Sequence, residues 1–231
     1  MRRTARIVVI LLVIAGVGTL AWTIAVWRWE DPFTALYTHY EQHRLATSLK
    51  REFQVYAPKQ VAGAETIASE QRRLAVDAAR FRRHAREGQA IGRIIVPRMG
   101  LNMVLVNGTD HDTLTKGPGR DPRTYMPGQG QLVYIAGHRT TYLAPFSHID
   151  RLRRGDRVRI EMPYATFVYE ITGHRIVSAT DLDILRSKGR ELLELQACHP
   201  RFFATHRYIA FARPVRVVPR TGRPFAPGPT A

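Results

Sequence analysis

Between Ile7 and Trp27 the chain runs for 21 residues without a charge. As a helix this stretch is about 31 Å long at 1.5 Å per residue, enough to cross the hydrocarbon core of a bilayer. A chain segment in lipid must satisfy its own backbone hydrogen bonds, which leaves a helix as the conformation available to it. Residues 7–27 are therefore expected to be a transmembrane helix. Arg2, Arg3 and Arg6 precede it and Arg28, Glu30 and Asp31 follow it. This bias places residues 1–6 in the cytoplasm and the rest of the chain outside, with a single pass. The three tryptophans, Trp22, Trp27 and Trp29, fall at the outer end, where an indole suits the headgroup region. A cleaved signal peptide has a shorter apolar core and a small-x-small cleavage site, and neither is present here.

Lys and Arg number 35 against 19 Asp and Glu, a formal net charge of +16. Such a balance suits a polyanionic neighbour, either nucleic acid or anionic lipid and wall polymer. The basic residues are spread along the chain rather than gathered in a block with interleaved aromatics, so nucleic-acid binding is not expected. Cys198 is the single cysteine, which excludes an intrachain disulfide framework and a Cys-rich zinc site. The acidic pair Asp181 and Asp183 is too sparse for calcium. No metal and no organic cofactor are expected.

Residues 28–89 read as a helical stalk. Thr34 to Tyr56 is a polar and aromatic helical segment that Pro58 separates from a second helix. In that second helix Ile67, Leu74, Ala78, Phe81 and Ala85 recur at helical spacing among arginines, predicting an amphipathic helix of about eight turns. Its apolar stripe suits packing against the following domain or the membrane surface. After Gly88 the pattern becomes period-two or short apolar runs with Gly and Pro between them. Candidate strands are Ala90–Val96, Met103–Val106, Leu132–Ala136, Arg157–Met162, Thr166–Val177, Leu192–Ala197, Tyr208–Arg213 and Val215–Val218. The expected class over residues 90–218 is mainly β, a compact barrel or sandwich. Thr113–Lys116, ahead of Gly117-Pro118-Gly119, reads as one helical turn. The tail, residues 219–231, is rich in Pro and Gly and is expected to be disordered.

Three polar positions stand out from this scaffold. In Leu192–Ala197, alternation puts Leu193, Leu195 and Ala197 on the core face and Glu194, Gln196 and Cys198 on the other. A lone thiol on a polar face at a strand end, outside the cell, is a candidate nucleophile rather than a small buried hydrophobe. His138 follows an apolar strand and Gly137, a glycine that lets the backbone turn sharply. It can shuttle a proton near neutral pH, the usual partner of a cysteine nucleophile, and a surface-loop histidine is the other reading. Arg207 opens a strand nine residues after Cys198. A guanidinium there can stabilise an oxyanion. Parity groups Arg207 with Ile209 and Phe211, so with those two in the core it would reach a groove only ahead of the strand or through a bulge; taken alone it reads as a solvated arginine.

The order His138, Cys198, Arg207 resembles the sortase transpeptidases, with an Ala-Gly-His after one strand, a Leu-x-x-Cys ending another and an arginine opening the next. The runs Ile91-Gly92-Arg93-Ile94 with Pro97, Gly137-His138-Arg139-Thr140-Thr141-Tyr142 with Ala144-Pro145-Phe146, and Cys198-His199-Pro200 resemble class E sortases of actinobacteria. The likeness covers residues 90–218. It implies an eight-stranded sortase barrel and a cysteine transpeptidase acting on secreted proteins with a C-terminal sorting motif of the Leu-Pro/Ala-x-Thr-Gly type. The resemblance gives Cys198 the role of nucleophile, His138 that of acid and base, and Arg207 that of oxyanion or motif ligand, with Thr140 and Tyr142 lining the substrate groove. The implied partners are sorting-signal proteins and the amine of a lipid-linked wall precursor or a pilin. The chain departs from the family's Thr-Leu-x-Thr-Cys run at Glu194 and Ala197, which removes the hydroxyl beside the nucleophile, and Leu143 stands where relatives often carry glycine. A non-catalytic, membrane-anchored envelope-binding barrel is the alternative that fits those departures.

Overall fold

The computed structural model describes residues 2–28, 32–56 and 66–227. Trp29, Glu30, Asp31, Pro58 and the last four residues of the tail lie outside the described residues. Helix α1 (Arg2–Arg28) holds the uncharged stretch, and the apolar window of its span Arg3–Ile24 is not buried inside the protein. It is long and apolar enough to cross a membrane. Helices α2 (Pro32–Val55) and α3 (Ile67–His84) lie against the barrel that follows.

The barrel is closed by eight strands: β1 (Ala90–Val96), β2 (Leu101–Asn107), β3 (Gly119–Arg120), β4 (Leu132–Ala136), β5 (Arg157–Glu161), β6 (Ala165–Ser178), β7 (Leu192–His199) and β8 (His206–Pro219). Around the barrel they run β1-β2-β3-β4-β7-β8-β6-β5, and β1 pairs with β5 to close it. The β2–β3 and β4–β7 neighbours are parallel and the rest antiparallel. The core is filled by alternate residues of each strand: Val133 and Ile135 of β4, Phe167, Tyr169 and Ile171 of β6, Leu193, Leu195 and Ala197 of β7, and Tyr208, Ala210 and Ala212 of β8.

Several elements differ from the expectation. Strand β3, only two residues long, is too short to show a period. Strand β8 continues through Pro214, where a break between the strands Tyr208–Arg213 and Val215–Val218 was expected. Pro214 sits opposite Tyr169 beside a shift in register between Val168 and Tyr169, and such a bulge accommodates a residue with no N–H to donate. The tail, expected to be disordered, folds back as far as Phe225, which is buried and exchanges both backbone hydrogen bonds with Val217 (2.8 and 2.9 Å). The helical turn expected at Thr113–Lys116 forms slightly earlier, as α4 (His111–Leu114), with Asp110 accepting from the N–H of Thr113 (2.9 Å).

The α3 helix has 18 residues, five turns rather than eight, and starts at a capping box built by Thr66 and Ser69. Its Leu74 and Ala78 join the barrel core, with Phe81 and Ala85 packed beside them, while Ile67 is exposed. An aromatic chain, Tyr56–Phe81–Tyr164–Phe167, joins the helices to the barrel wall at centroid distances of 5.6 to 6.4 Å. Helix α2 presses Leu45 and Leu49 on Ala90, Val104 and Val106. Gln42 accepts from the N–H of Val104 (2.7 Å) and donates to the carbonyls of Val104 (3.1 Å) and Lys116 (2.8 Å), while Thr38 donates to the carbonyl of Thr115 (2.7 Å). Because β3 pairs with β2 over only Val106 and Asn107, this part of the β2 edge has no strand neighbour, and the Gln42 amide takes that place.

A chain beginning at residue 90 loses these contacts, whereas one beginning at residue 32 keeps them. The shorter chain is expected to unfold at a clearly lower temperature or to aggregate. In the longer one Leu74→Ala should cost about 2–5 kcal/mol in urea unfolding. Equal melting temperatures for the two chains would show that the helices add nothing to the barrel.

Candidate active site

Strands β4 and β7 run parallel with Ala136 opposite Gln196, and the N–H of Gly137 donates to the Gln196 carbonyl (3.0 Å), extending the ladder by one residue. Continued, this register brings His138 level with Cys198. In the antiparallel β7–β8 pair Cys198 sits directly opposite Arg207, so both side chains stand on the same face. The three residues meet in a groove of about 270 Å³ on the outside of the barrel, whose wall also includes Asp121, Arg123, Tyr134, Gln196, Leu182 and Ile184.

The parity that made Arg207 doubtful resolves differently from the expectation. Tyr208, Ala210 and Ala212 fill the core, whereas Arg207, Ile209 and Phe211 face outward. The outer face is itself apolar here: Tyr134, Ala136, Val177, Ile184 and Ile209 form a separate buried cluster. Arg207 therefore reaches the groove with neither bulge nor displacement. Its Nη1 donates to the carbonyls of Ala204 (2.7 Å) and His206 (3.0 Å), which fixes the guanidinium fork at the rim. Ala197, conversely, points into the core. A threonine there would place its hydroxyl inside the barrel, so the departure at this position does not remove a side-chain hydroxyl from the groove.

His138 is half-buried, and its Nε2 is buried with no hydrogen-bond partner among the described residues. Burial lowers its basicity, and His111 adds a smaller effect of the same sign. A Cβ at Gly137 would lie 3.0 Å from the Phe146 ring, tighter than nearly all Cβ contacts, so a side chain there would push the ring aside. Phe146 is fully buried and its N–H donates to the His138 carbonyl (3.0 Å), closing the loop that carries the histidine. Within that loop Tyr142, Leu143 and Ala144 have φ of 55°, 59° and 37°, the left-handed region that favours glycine. This accounts for the position of Leu143 at which relatives often carry glycine.

Thr140 and Tyr142 are not part of the groove wall. Tyr142 packs instead on His138, ring centroids 5.0 Å apart, and its N–H donates to the Thr34 hydroxyl of α2 (3.2 Å).

The residues not foreseen are those that hold the site together. Arg139 is buried and donates to the Cys198 carbonyl (3.3 Å) and contacts His199 Nδ1 (2.9 Å), with its Nη2 paired to Asp150 (3.0 Å). The histidine loop is thereby tied to the strand end that carries the thiol. Arg120, fully buried in β3, donates to Asn107 and to the Thr124 carbonyl, fixing the turn that places Asp121 and Arg123 in the groove wall. Adjacency to His138 was the only sequence signal for Arg139, and Arg120 gave none. Glu194 is also buried, with Oε2 unpartnered, and burial pushes its carboxyl up to about 7 against the opposing pull of Lys188 and Arg175. Among the described residues no cluster of three or more His, Cys, Asp or Glu is arranged to hold a metal.

Residues 94–215 match the family model of the sortase domain. Sortase D of Bacillus subtilis is 33% identical over 132 residues, 55% of this chain and 65% of that protein. Sortase SrtE1 of Streptomyces coelicolor is 30% identical over 103 residues, 40% of this chain and 29% of that protein. The matched stretch thus spans less than two thirds of either relative. Among solved structures, a sortase D5 transpeptidase of Clostridium perfringens superposes with a TM-score of 0.61 at 25% identity, covering 76% of this chain and 99% of that one. Sortase E of Streptomyces avermitilis superposes with a TM-score of 0.52 at 30% identity, over 58% and 93%.

Glu194 gives a stability test. A carboxyl with a raised folded-state pKa holds its proton more tightly in the fold than in the unfolded chain, so stability is lost as pH rises from about 4.5 through about 7. Glu194→Gln should leave the melting temperature at pH 4 nearly unchanged and raise it at pH 8.5 by roughly 4 °C. An equal effect at both pH values would exclude ionisation of Glu194 as the cause.

Proposed function

The chain belongs to the sortase family, and from this premise we propose that it is a membrane-anchored cysteine transpeptidase with Cys198, His138 and Arg207 as its catalytic residues. The observation that carries the reading is the register: Cys198 directly opposite Arg207, with His138 brought level by the parallel strand, all three in one groove. The substrate is the C-terminal sorting motif of a secreted protein, of the Leu-Pro/Ala-x-Thr-Gly type. The runs around His138 and Cys198 favour the class E preference for Leu-Ala-x-Thr-Gly, alongside the relatedness to Sortase D. Helix α1 anchors the enzyme with its N-terminus in the cytoplasm and the barrel outside.

The Cys198 thiolate attacks the carbonyl carbon of the Thr-Gly bond, and the tetrahedral oxyanion takes hydrogen bonds from the Arg207 guanidinium. As the C–N bond breaks, His138 as imidazolium passes its proton to the leaving glycine amine, and a thioester joins Sγ to the threonine carbonyl. The amine of a lipid-linked wall precursor or of a pilin lysine then attacks the thioester carbon. His138 accepts its proton, the C–S bond breaks, and the thiolate is restored with the threonine in a new amide. The apolar floor under Leu182 and Ile184 suits the aliphatic first residue of the motif. Tyr142 acts as a positioning residue for the imidazole, and Thr140 stands in the same loop outside the groove wall.

Incubating residues 32–231 with a sorting-motif peptide and a peptide amine tests this. Cys198→Ala should abolish both thioacyl adduct and product, and Arg207→Ala should lower kcat/KM about 10²–10³-fold, with Arg207→Lys restoring only part. Product formation by Cys198→Ala at the wild-type rate would overturn the proposal. A second measurement addresses His138. Since the imidazolium is the working form, activity is lost as pH rises through its pKa. Removing His111, which adds to the larger effect of burial on this pKa, by His111→Gln should move the alkaline limb of kcat/KM slightly to higher pH; a limb that moves to lower pH would dissociate it from His138.

A further inference from the structure

Helix α2 has two faces, and the barrel accounts for only one. Thr38, Leu45 and Leu49 are buried against the barrel. On the far side Leu36, Tyr37 and Tyr40 are 71%, 45% and 61% exposed, three large side chains within the first turns of the helix. At 100° per residue they share one stripe, which continues into the exposed Arg44 and Arg51. The Arg44 guanidinium lies over the Tyr40 ring at 5.8 Å. Apolar and aromatic residues giving way to arginine is the composition of a helix that lies in a membrane interface.

We propose that this face of α2 docks on the bilayer that holds α1 and so sets the catalytic loop at headgroup level. The inference rests on the reading of α1 as a membrane span. Chain geometry supplies the occupant. From Arg28, the last residue of α1, to Pro32, the first of α2, the chain reaches at most about 14 Å. Leu36 and Tyr37 follow within a further ~8 Å of helix. A face that begins so close to the end of a span is adjacent to the headgroup layer, and lipid is the surface available to it along its length.

The consequence reaches the chemistry through Thr34 and Tyr142. Thr34, one turn before Thr38, accepts from the N–H of Tyr142, whose ring packs on His138. A docked α2 holds the histidine loop beside the lipid surface, where an amine acceptor carried on lipid meets the thioester more often than an amine in solution.

The test uses the full chain in liposomes of phosphatidylglycerol and phosphatidylcholine. In a Cys198→Ala background, nitroxide labels on Tyr37→Cys and Tyr40→Cys should collide more with membrane-dissolved oxygen than with an aqueous nickel reagent, and a label on Arg216→Cys, exposed on β8 across the barrel from β1 and β2, the reverse. In the Cys198-containing chain, the double variant Leu36→Ser, Tyr40→Ser should lower the rate with a lipid-anchored amine at least about fivefold relative to a soluble amine, leaving the soluble-amine rate unchanged. Retention in the membrane with labels 37 and 40 open to the aqueous reagent, or spin coupling between two copies at these positions, would overturn the docking alone. Release of the chain by carbonate would overturn the anchor and the docking together. Loss of both reactions in every chain would reject the transpeptidase reading without touching the label result.

Discussion

The parallel pairing of β4 with β7 is the constraint on which the site depends. Parallel neighbours cannot be joined by a tight turn, so the chain leaves β4 at Ala136 and builds β5 and β6 before returning as β7. The two strands then end at the same rim, which is why residues 60 positions apart in sequence, His138 and Cys198, stand level. Strand β8 turns back along β7 and adds Arg207 opposite the thiol. A slip of one residue in either pairing would carry Cys198 or Arg207 to the barrel interior, so the packing of Leu193, Leu195 and Ala197 in the core enforces the chemistry outside it.

The same sheet is apolar on both sides where the groove lies. Inside, the barrel core is continuous; outside, Tyr134, Ala136, Val177 and Ile209 need cover, and Ile184 from the connection between β6 and β7 supplies part of it. An incompletely covered apolar floor is a physical basis for binding an extended peptide with aliphatic side chains, because the ligand completes the burial. The charged groups sit around that floor: Arg207 on its carbonyl anchors, Asp121 paired to Arg123 at 2.7 Å, and His138 shielded enough for burial to weaken its hold on a proton.

What the sequence discloses follows from what each feature needs. Strands β1 and β4 were legible to the residue because their apolar runs end at Gly or Pro or at a change of pattern. The face carrying Cys198 was legible because period two in Leu192–Ala197 allows one assignment. The route by which Arg207 reaches the groove was not legible for the reverse reason: alternation says which residues share a face, and it does not say that the outward face has an apolar cover of its own. Arg139 and Arg120 look like ordinary surface arginines in a chain with 35 basic residues, and only their carbonyl and carboxylate partners, distant in sequence, distinguish them. The left-handed run at Tyr142–Ala144 has no glycine to signal it.

The segment before the barrel shows the same limit at a larger scale. Polarity and charge make residues 28–89 resemble a spacer, yet the barrel is incomplete without the two helices α2 and α3 within them. Strand β3 covers two residues of β2, and the edge it leaves at Val104 is satisfied by one glutamine side chain from α2. A buried edge with unpaired amide and carbonyl groups costs free energy comparable to the lost hydrogen bonds, so Gln42 does for that edge what a longer strand would do elsewhere. Helix α2 also holds Tyr142 through Thr34, one helical turn from Thr38 and two from Gln42. Closing the barrel edge and placing the histidine loop are thus two effects of one docked helix, and a displacement of Thr34 in its first turn reaches the imidazole through two contacts, the Thr34–Tyr142 hydrogen bond and the packing of the Tyr142 ring on His138.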